Sequence, residues 1–105
     1  MKLTKEKINQ LKAKYGQIFL IQIPIPGTDK TADFVVRYPN KTEMEALSAQ
    51  SDVATYNDMM FNFMIVEGDR QYIDDTNQFS APVYLALVNE LGKLYQTPSV
   101  SLKAL

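Results

Sequence analysis

The stretch Gln17-Ile18-Phe19-Leu20-Ile21-Gln22-Ile23-Pro24-Ile25-Pro26-Gly27-Thr28-Asp29-Lys30-Thr31-Ala32-Asp33-Phe34-Val35-Val36-Arg37-Tyr38 decides the fold. Phe19, Ile21, Ile23 and Ile25 alternate onto one face of a strand over residues 17–25. Ile18 and Leu20 begin the opposite face, which continues as Gln22 and Pro24. Pro24 cannot donate to a ladder, so this strand end lies at an edge or leaves the sheet. Residues 26–30 have turn composition. In the second strand, over 32–38, Phe34, Val36 and Tyr38 share one face and Asp33, Val35 and Arg37 the other. Two alternating runs joined by a short connection predict an antiparallel hairpin.

Helical signals surround the hairpin. Before it, Thr4 can cap a helix over 4–15, Glu6 suits the positive end of the helix dipole, and Gly16 stops it. Ile8, Leu11 and Tyr15 form only a thin apolar stripe, so this helix docks on the edge of a core. After the hairpin, Pro39 ends the strand and Thr42-Glu43-Met44-Glu45 fits a capping box. It predicts a helix over 43–50 with Met44 and Leu47 inward. Ser51-Asp52 is a further cap, and the run from Val53 to Val66 predicts a helix over 53–66.

That helix is apolar nearly all round, with Thr55, Asp58 and Asn62 as its polar stripe. It is either central or covered by another chain. Met is unbranched and adapts to irregular surfaces. Tyr56, Met59, Met60, Phe63 and Met64 are therefore candidates for a partner-binding face, with simple core filling as the competing reading.

Residues 67–70 break the helix, and residues 71–73 read as a short extended piece. The last helix runs over 80–95, with Pro82 in its first turn and Tyr84, Leu87, Val88, Leu91, Leu94 and Tyr95 as its stripe. Gly92 inside it suggests close approach of another backbone. The expected fold is α+β. An antiparallel hairpin, with a third short strand drawn from 70–73 or the tail, packs against three or four helices. The helices over 53–66 and 80–95 form the main core pair. Residues 1–98 make one domain and 99–105 a C-terminal tail.

The chain has 105 residues, 11 Lys and Arg against 12 Asp and Glu, and no His, Cys or Trp. The usual general base, cysteine nucleophiles, disulfides and thiolate zinc sites are therefore excluded. No phosphate-binding glycine motif occurs, and Asp69, Asp74 and Asp75 lack the order of a calcium loop, so they read as solvated loop acids or caps. The reading is non-enzymatic, with no cofactor and no metal. No targeting segment and no membrane-spanning run is visible, which makes the cytoplasm the default.

Charge is uneven: residues 1–15 carry five Lys against one Glu, and residues 43–75 carry eight acids against Arg70. Lys5, Lys7, Lys12 and Lys14 therefore make a charged docking helix, or else a solvated face drawn to acidic loops of the same fold. Nucleic acid is the weakest partner reading, because the remaining surface is acidic.

The order of these signatures resembles a family. A Lys-rich helix ends Lys14-Tyr15-Gly16 and an Ile-rich strand follows over 18–25. Phe34-Val35-Val36-Arg37-Tyr38-Pro39 then enters a Thr42-capped helix, and an Asp74-Asp75 loop precedes a last helix with Leu91-Gly92. This layout is similar to small phage and prophage proteins encoded among tail genes and described as tail assembly chaperone-like. It covers most of the chain, excepting 26–31 and 67–73, and Pro82 and the Met/Phe density of 59–64 depart from it. The resemblance implies a protein of the bacterial host cytoplasm that keeps a helical, tape-measure-type partner soluble during assembly. It brings no catalytic residues. The alternatives are a self-assembling structural or tail accessory component, or a weak nucleic-acid-binding regulatory module.

Overall fold

Pro26 and Gly27 set the hairpin. In the computed structural model, which describes residues 2–74, 76–95 and 99–105, the Thr28 N–H donates to the Ile25 carbonyl at 3.1 Å. Proline at the first central position and glycine at φ 75° at the second give the geometry of a type II turn. Thr28 Oγ1 also donates to the Ile25 carbonyl (3.0 Å) and accepts from the Lys30 N–H (3.1 Å), so the wider loop is tied to one residue. Strands β1 (Ile18–Pro24) and β2 (Thr31–Arg37) leave this turn antiparallel, with Ile21 opposite Phe34.

A third strand, β3 (Ile65–Gly68), pairs antiparallel with the far side of β2, giving the order β1-β2-β3. It comes directly off the end of helix α3 (Val53–Met64), with no loop between them. The predicted helix over 53–66 is therefore two residues too long, and the third strand is at 65–68, not at 70–73 or in the tail. Ile65 and Val66 continue the apolar run, but both are β-branched and meet the open edge of β2, where pairing outweighs another half-turn of helix. Residues 70–73 form a 3-10 turn (Arg70–Ile73), not an extended piece. Residues 99–105 carry no regular structure.

Val66 is an extra residue in β3: Val35 faces Glu67 while Val36 faces Ile65, a bulge in the ladder. Gly68 beyond it lies against Phe34. A methyl group there would sit 2.6 Å from the Phe34 ring and 3.2 Å from the Asp33 carbonyl oxygen. By contrast a methyl on Gly92 would meet open space, so the expected close backbone approach does not occur there among the described residues.

The sheet separates two layers. Ala32, Phe34 and Val36 of β2, with Ile23 of β1, point into the main core. Met60, Phe61 and Met64 of α3, Leu47 of α2 (Lys41–Ser48), and Val83, Leu87 and Leu91 of α4 (Ser80–Leu94) complete it. The Phe61 and Tyr84 rings meet edge to face at 5.2 Å, joining α3 to α4. On the other face lies α1 (Lys5–Tyr15), capped by Thr4 as predicted. Its thin stripe buries Leu11, while Lys7 reaches Glu67 at 3.2 Å and the Tyr15 ring faces the Arg37 guanidinium at 5.8 Å. Val35, on that same face, is also buried. The fold is α+β, with four helices and a three-stranded antiparallel sheet.

Asp69 is not a solvated loop acid. It is 6% exposed, its backbone N–H donates to the Asp33 carbonyl, and its carboxylate accepts the Asp33 N–H at 2.9 Å. A side chain thus finishes the β2–β3 ladder where β3 ends. Asp74 accepts from the Thr76 N–H and hydroxyl, in keeping with a cap, and Asp75 lies outside the described residues.

Because Phe34 is fully buried, it cannot retreat from a methyl group at Gly68. Gly68→Ala is expected to cost about 1–3 kcal/mol, the usual range for overpacking. Thermal unfolding followed by circular dichroism measures it; an unchanged midpoint would mean that β3 does not pack as described.

Candidate protein-binding groove

The groove is built from the exit of β2. Pro39 disfavours helix at Tyr38 and has no N–H, so the chain leaves the sheet extended and starts α2 only at Lys41. Asn40 is the N-cap: its side-chain oxygen accepts the Glu43 N–H (2.8 Å), and the Glu43 carboxylate accepts the Asn40 N–H (2.9 Å). The capping box is therefore Asn40 to Glu43, two residues before the predicted Thr42 box.

Arg37 explains the displacement. Its two terminal nitrogens donate to the two Glu43 oxygens at 2.8 and 2.6 Å, a bidentate pair that also requires Glu43 at this register. One nitrogen further donates to the Tyr38 carbonyl at 3.0 Å. Both side chains are mostly buried, and Nε of Arg37 is a buried polar atom with no hydrogen-bond partner among the described residues. The hydrogen bonds from Arg37 hold the Glu43 carboxyl below the usual carboxylate range, against the opposing effect of burial. The same bonds push the guanidinium pKa up, again against burial.

This corner places Tyr38, Pro39, Asn40, Lys41 and Met44 opposite Leu94 and Tyr95 at the end of α4, around an open groove of about 320 Å³. The Tyr95 hydroxyl donates to the Met44 carbonyl at 3.3 Å and closes one side. Tyr38 is 49% and Met44 41% exposed, so both present apolar surface. Tyr38 rests edge to face on Phe19, which extends the apolar surface toward β1. Asn40 and Lys41 form a polar rim, with Lys41 near Glu45 at 3.9 Å. Periodicity places Met44 inward beside Leu47; held by the Arg37–Glu43 pair, α2 turns only Leu47 into the core.

The five predicted contact residues of α3 divide. Met60 (2% exposed) and Met64 (0%) belong to the core, while Tyr56, Met59 and Phe63 are half-buried against it. Burial, with Tyr95 adding to it, raises the Tyr56 hydroxyl pKa. The predicted docking lysines do not converge on it. Lys5, Lys12 and Lys14 stand exposed on α1, Lys14 over the Tyr15 ring, and Lys7 pairs with Glu67. Periodicity places Tyr38, Met44, Leu94 and Tyr95 inward, so alternation and helical spacing do not mark them as groove residues. The available signal was Tyr38-Pro39, which forces an exit from the sheet with an aromatic residue at its tip.

A larger and more polar depression of about 510 Å³ lies among Asp58, Phe61, Asn62, Arg70, Ile73, Asp74 and Tyr84. Among the described residues, no three His, Cys, Asp or Glu side chains gather so as to hold a metal ion. No described helix is long and apolar enough to cross a membrane. Family models, curated protein sequences and solved structures give no match to this chain.

Glu43→Gln keeps an acceptor for the cap but removes the ion pair, leaving Arg37 mostly buried and uncompensated. The expected loss is about 1.5–3 kcal/mol at neutral pH, the range for hydrogen bonds to charged groups. Because the folded Glu43 pKa is depressed, its contribution is complete above the unfolded value of about 4.3 and fades as pH falls through the folded value. Wild type and variant should therefore differ in unfolding midpoint equally at pH 7 and pH 6, and converge under strong acid. Asp52 and Asp74 are shifted the same way, by hydrogen bonds from Thr55 and Thr76, and cancel in this difference.

Proposed function

We propose that the chain is a non-enzymatic holding protein whose groove takes an apolar helical segment of another protein. The observation that carries this reading is the groove itself: an apolar floor of Tyr38, Pro39, Met44 and Leu94 with a polar rim of Asn40 and Lys41. Helix-in-groove recognition uses that distribution, anchoring an amphipathic helix by side chains one turn apart. Met44 adds an unbranched side chain that adapts to sequences differing in detail.

The resemblance to tail assembly chaperone-like proteins gives the partner class. In this reading the partner is a tape-measure-type tail protein, whose long apolar helices need cover until a tail assembles. Binding takes place in the cytoplasm of a bacterial host. The contacts come from the groove, whereas Met60 and Met64 hold the core. A second reading, a self-assembling structural component, is favoured by a different surface, the outer edge of β1.

Co-expression with a tape-measure-type protein encoded beside this chain tests the reading. Wild type should keep that protein in the soluble fraction, and Met44→Lys should lose it while remaining folded, because Met44 packs on the surface. Met60→Ala is the contrast, expected to cost roughly 2–5 kcal/mol of stability by leaving a core cavity. Equal partner solubility with and without this chain would refute the proposal.

A further inference from the structure

Two edges of the same sheet are treated differently by this sequence. The β3 edge is four residues long, bulged at Val66, charged at Glu67, and runs into the 3-10 turn at Arg70. These are the devices by which proteins prevent edge-to-edge pairing. The β1 edge has seven residues, no bulge against β2, and no charged residue from Gly16 to Thr28. We propose that this edge is where two copies of the chain pair, strand to antiparallel strand, about a two-fold axis through Leu20.

The backbone directions follow from two ends of the ladder. The Ile25 N–H donates to the Lys30 carbonyl, so in β1 the alternating positions 23, 21 and 19 bond to β2. Asp33 bonds on its other side to Asp69, which fixes the complementary alternation in β2. Ile18, Leu20, Gln22 and Pro24 therefore direct their backbone polar groups away from the sheet. Pro24 is tolerated because its missing N–H would have pointed to the free edge. Three donors remain, at Ile18, Leu20 and Gln22.

A two-fold axis at Leu20 sets Leu20 against Leu20 of the second copy and Ile18 against Gln22. Each outward donor then finds an acceptor across the axis. Pro24 falls opposite Gly16, past the ladder. On the face toward α1 the pair would cover Leu20, which is 48% exposed. On the core face Phe19 would meet Ile21, both half-buried here. Self-pairing sets every charge near its own copy, and a strand without charges escapes that repulsion. Among the described residues, Glu90 of α4 is the acid that lines a trough of about 370 Å³ beside the edge, with Ala86 and residues 20–24. Its carboxylate is already paired with Lys93 at 2.7 Å. The result is a continuous six-stranded sheet.

Light scattering on the eluting full chain tests the pairing. Wild type should elute at about twice its 11.9 kDa mass. Leu20→Lys, at a half-exposed position, should give a monomer with an unchanged circular dichroism spectrum. The chain has no cysteine, so single substitutions report geometry directly. Facing Cα atoms in a hydrogen-bonded antiparallel pair are about 5.5 Å apart, within disulfide range. Mild oxidation should therefore link Leu20→Cys into dimers far faster than Val53→Cys on α3. A wild type that is monomeric at high micromolar concentration overturns the proposal and leaves the edge to a strand of another protein. So does a dimer that survives Leu20→Lys, or one that deletion of 99–105 dissolves while Leu20→Lys does not.

Discussion

The bidentate pair between Arg37 and Glu43 is the interaction on which the groove between α2 and the end of α4 depends. It joins the last residue of the central strand to the first turn of α2, at 2.8 and 2.6 Å. Glu43 answers a second demand with the same carboxylate, closing the capping box with Asn40. A charge removed from water must regain what it lost through hydrogen bonds, and two good bonds plus the Tyr15 ring face supply much of that for Arg37. Three elements, α1, β2 and α2, thus meet at one guanidinium. With α2 fixed at this angle, Leu47 points into the core and Met44 turns outward toward the end of α4.

The rest of the architecture supports that corner from behind. β2 is flanked on both sides, and its inner face, Ala32, Phe34 and Val36, is completely buried under the helices. Its outer face is sealed by α1 over Val35. The strand that carries Arg37 is therefore held in the plane of the sheet, and the groove inherits its position from it. Sheet and groove differ in purpose: one uses apolar residues to exclude water, the other presents them at the surface.

Local signals in the sequence carried the hairpin, the Thr4 and Asp52 caps and all four helices. Each of those rests on residues close together in the chain: alternation, a cap, a proline or a glycine. β3 was hidden because Ile65 and Val66 extend the Met-rich apolar run, and periodicity alone cannot divide a short apolar run between helix and strand. What divides it is the unpaired edge of β2, thirty residues away. Asp69 looked like a loop acid for the same reason, since its partner is the Asp33 backbone. The groove was illegible because Thr42 and Asn40 both fit a capping box, and the side-chain pairing of Arg37 with Glu43, six residues on, chooses between them.

If an apolar helix is the occupant proposed for the groove held by Arg37 and Glu43, it must contact Tyr38, Met44 and Leu94. Amide chemical shifts of the isotopically labelled chain, followed while an amphipathic helical segment of a tape-measure-type protein is added, test it most directly. Perturbations are expected to concentrate at Tyr38, Asn40, Lys41, Met44, Leu94 and Tyr95, and to be lost in Met44→Lys. Perturbations confined to the lysines of α1, or to the depression between Asp58 and Arg70, would contradict it.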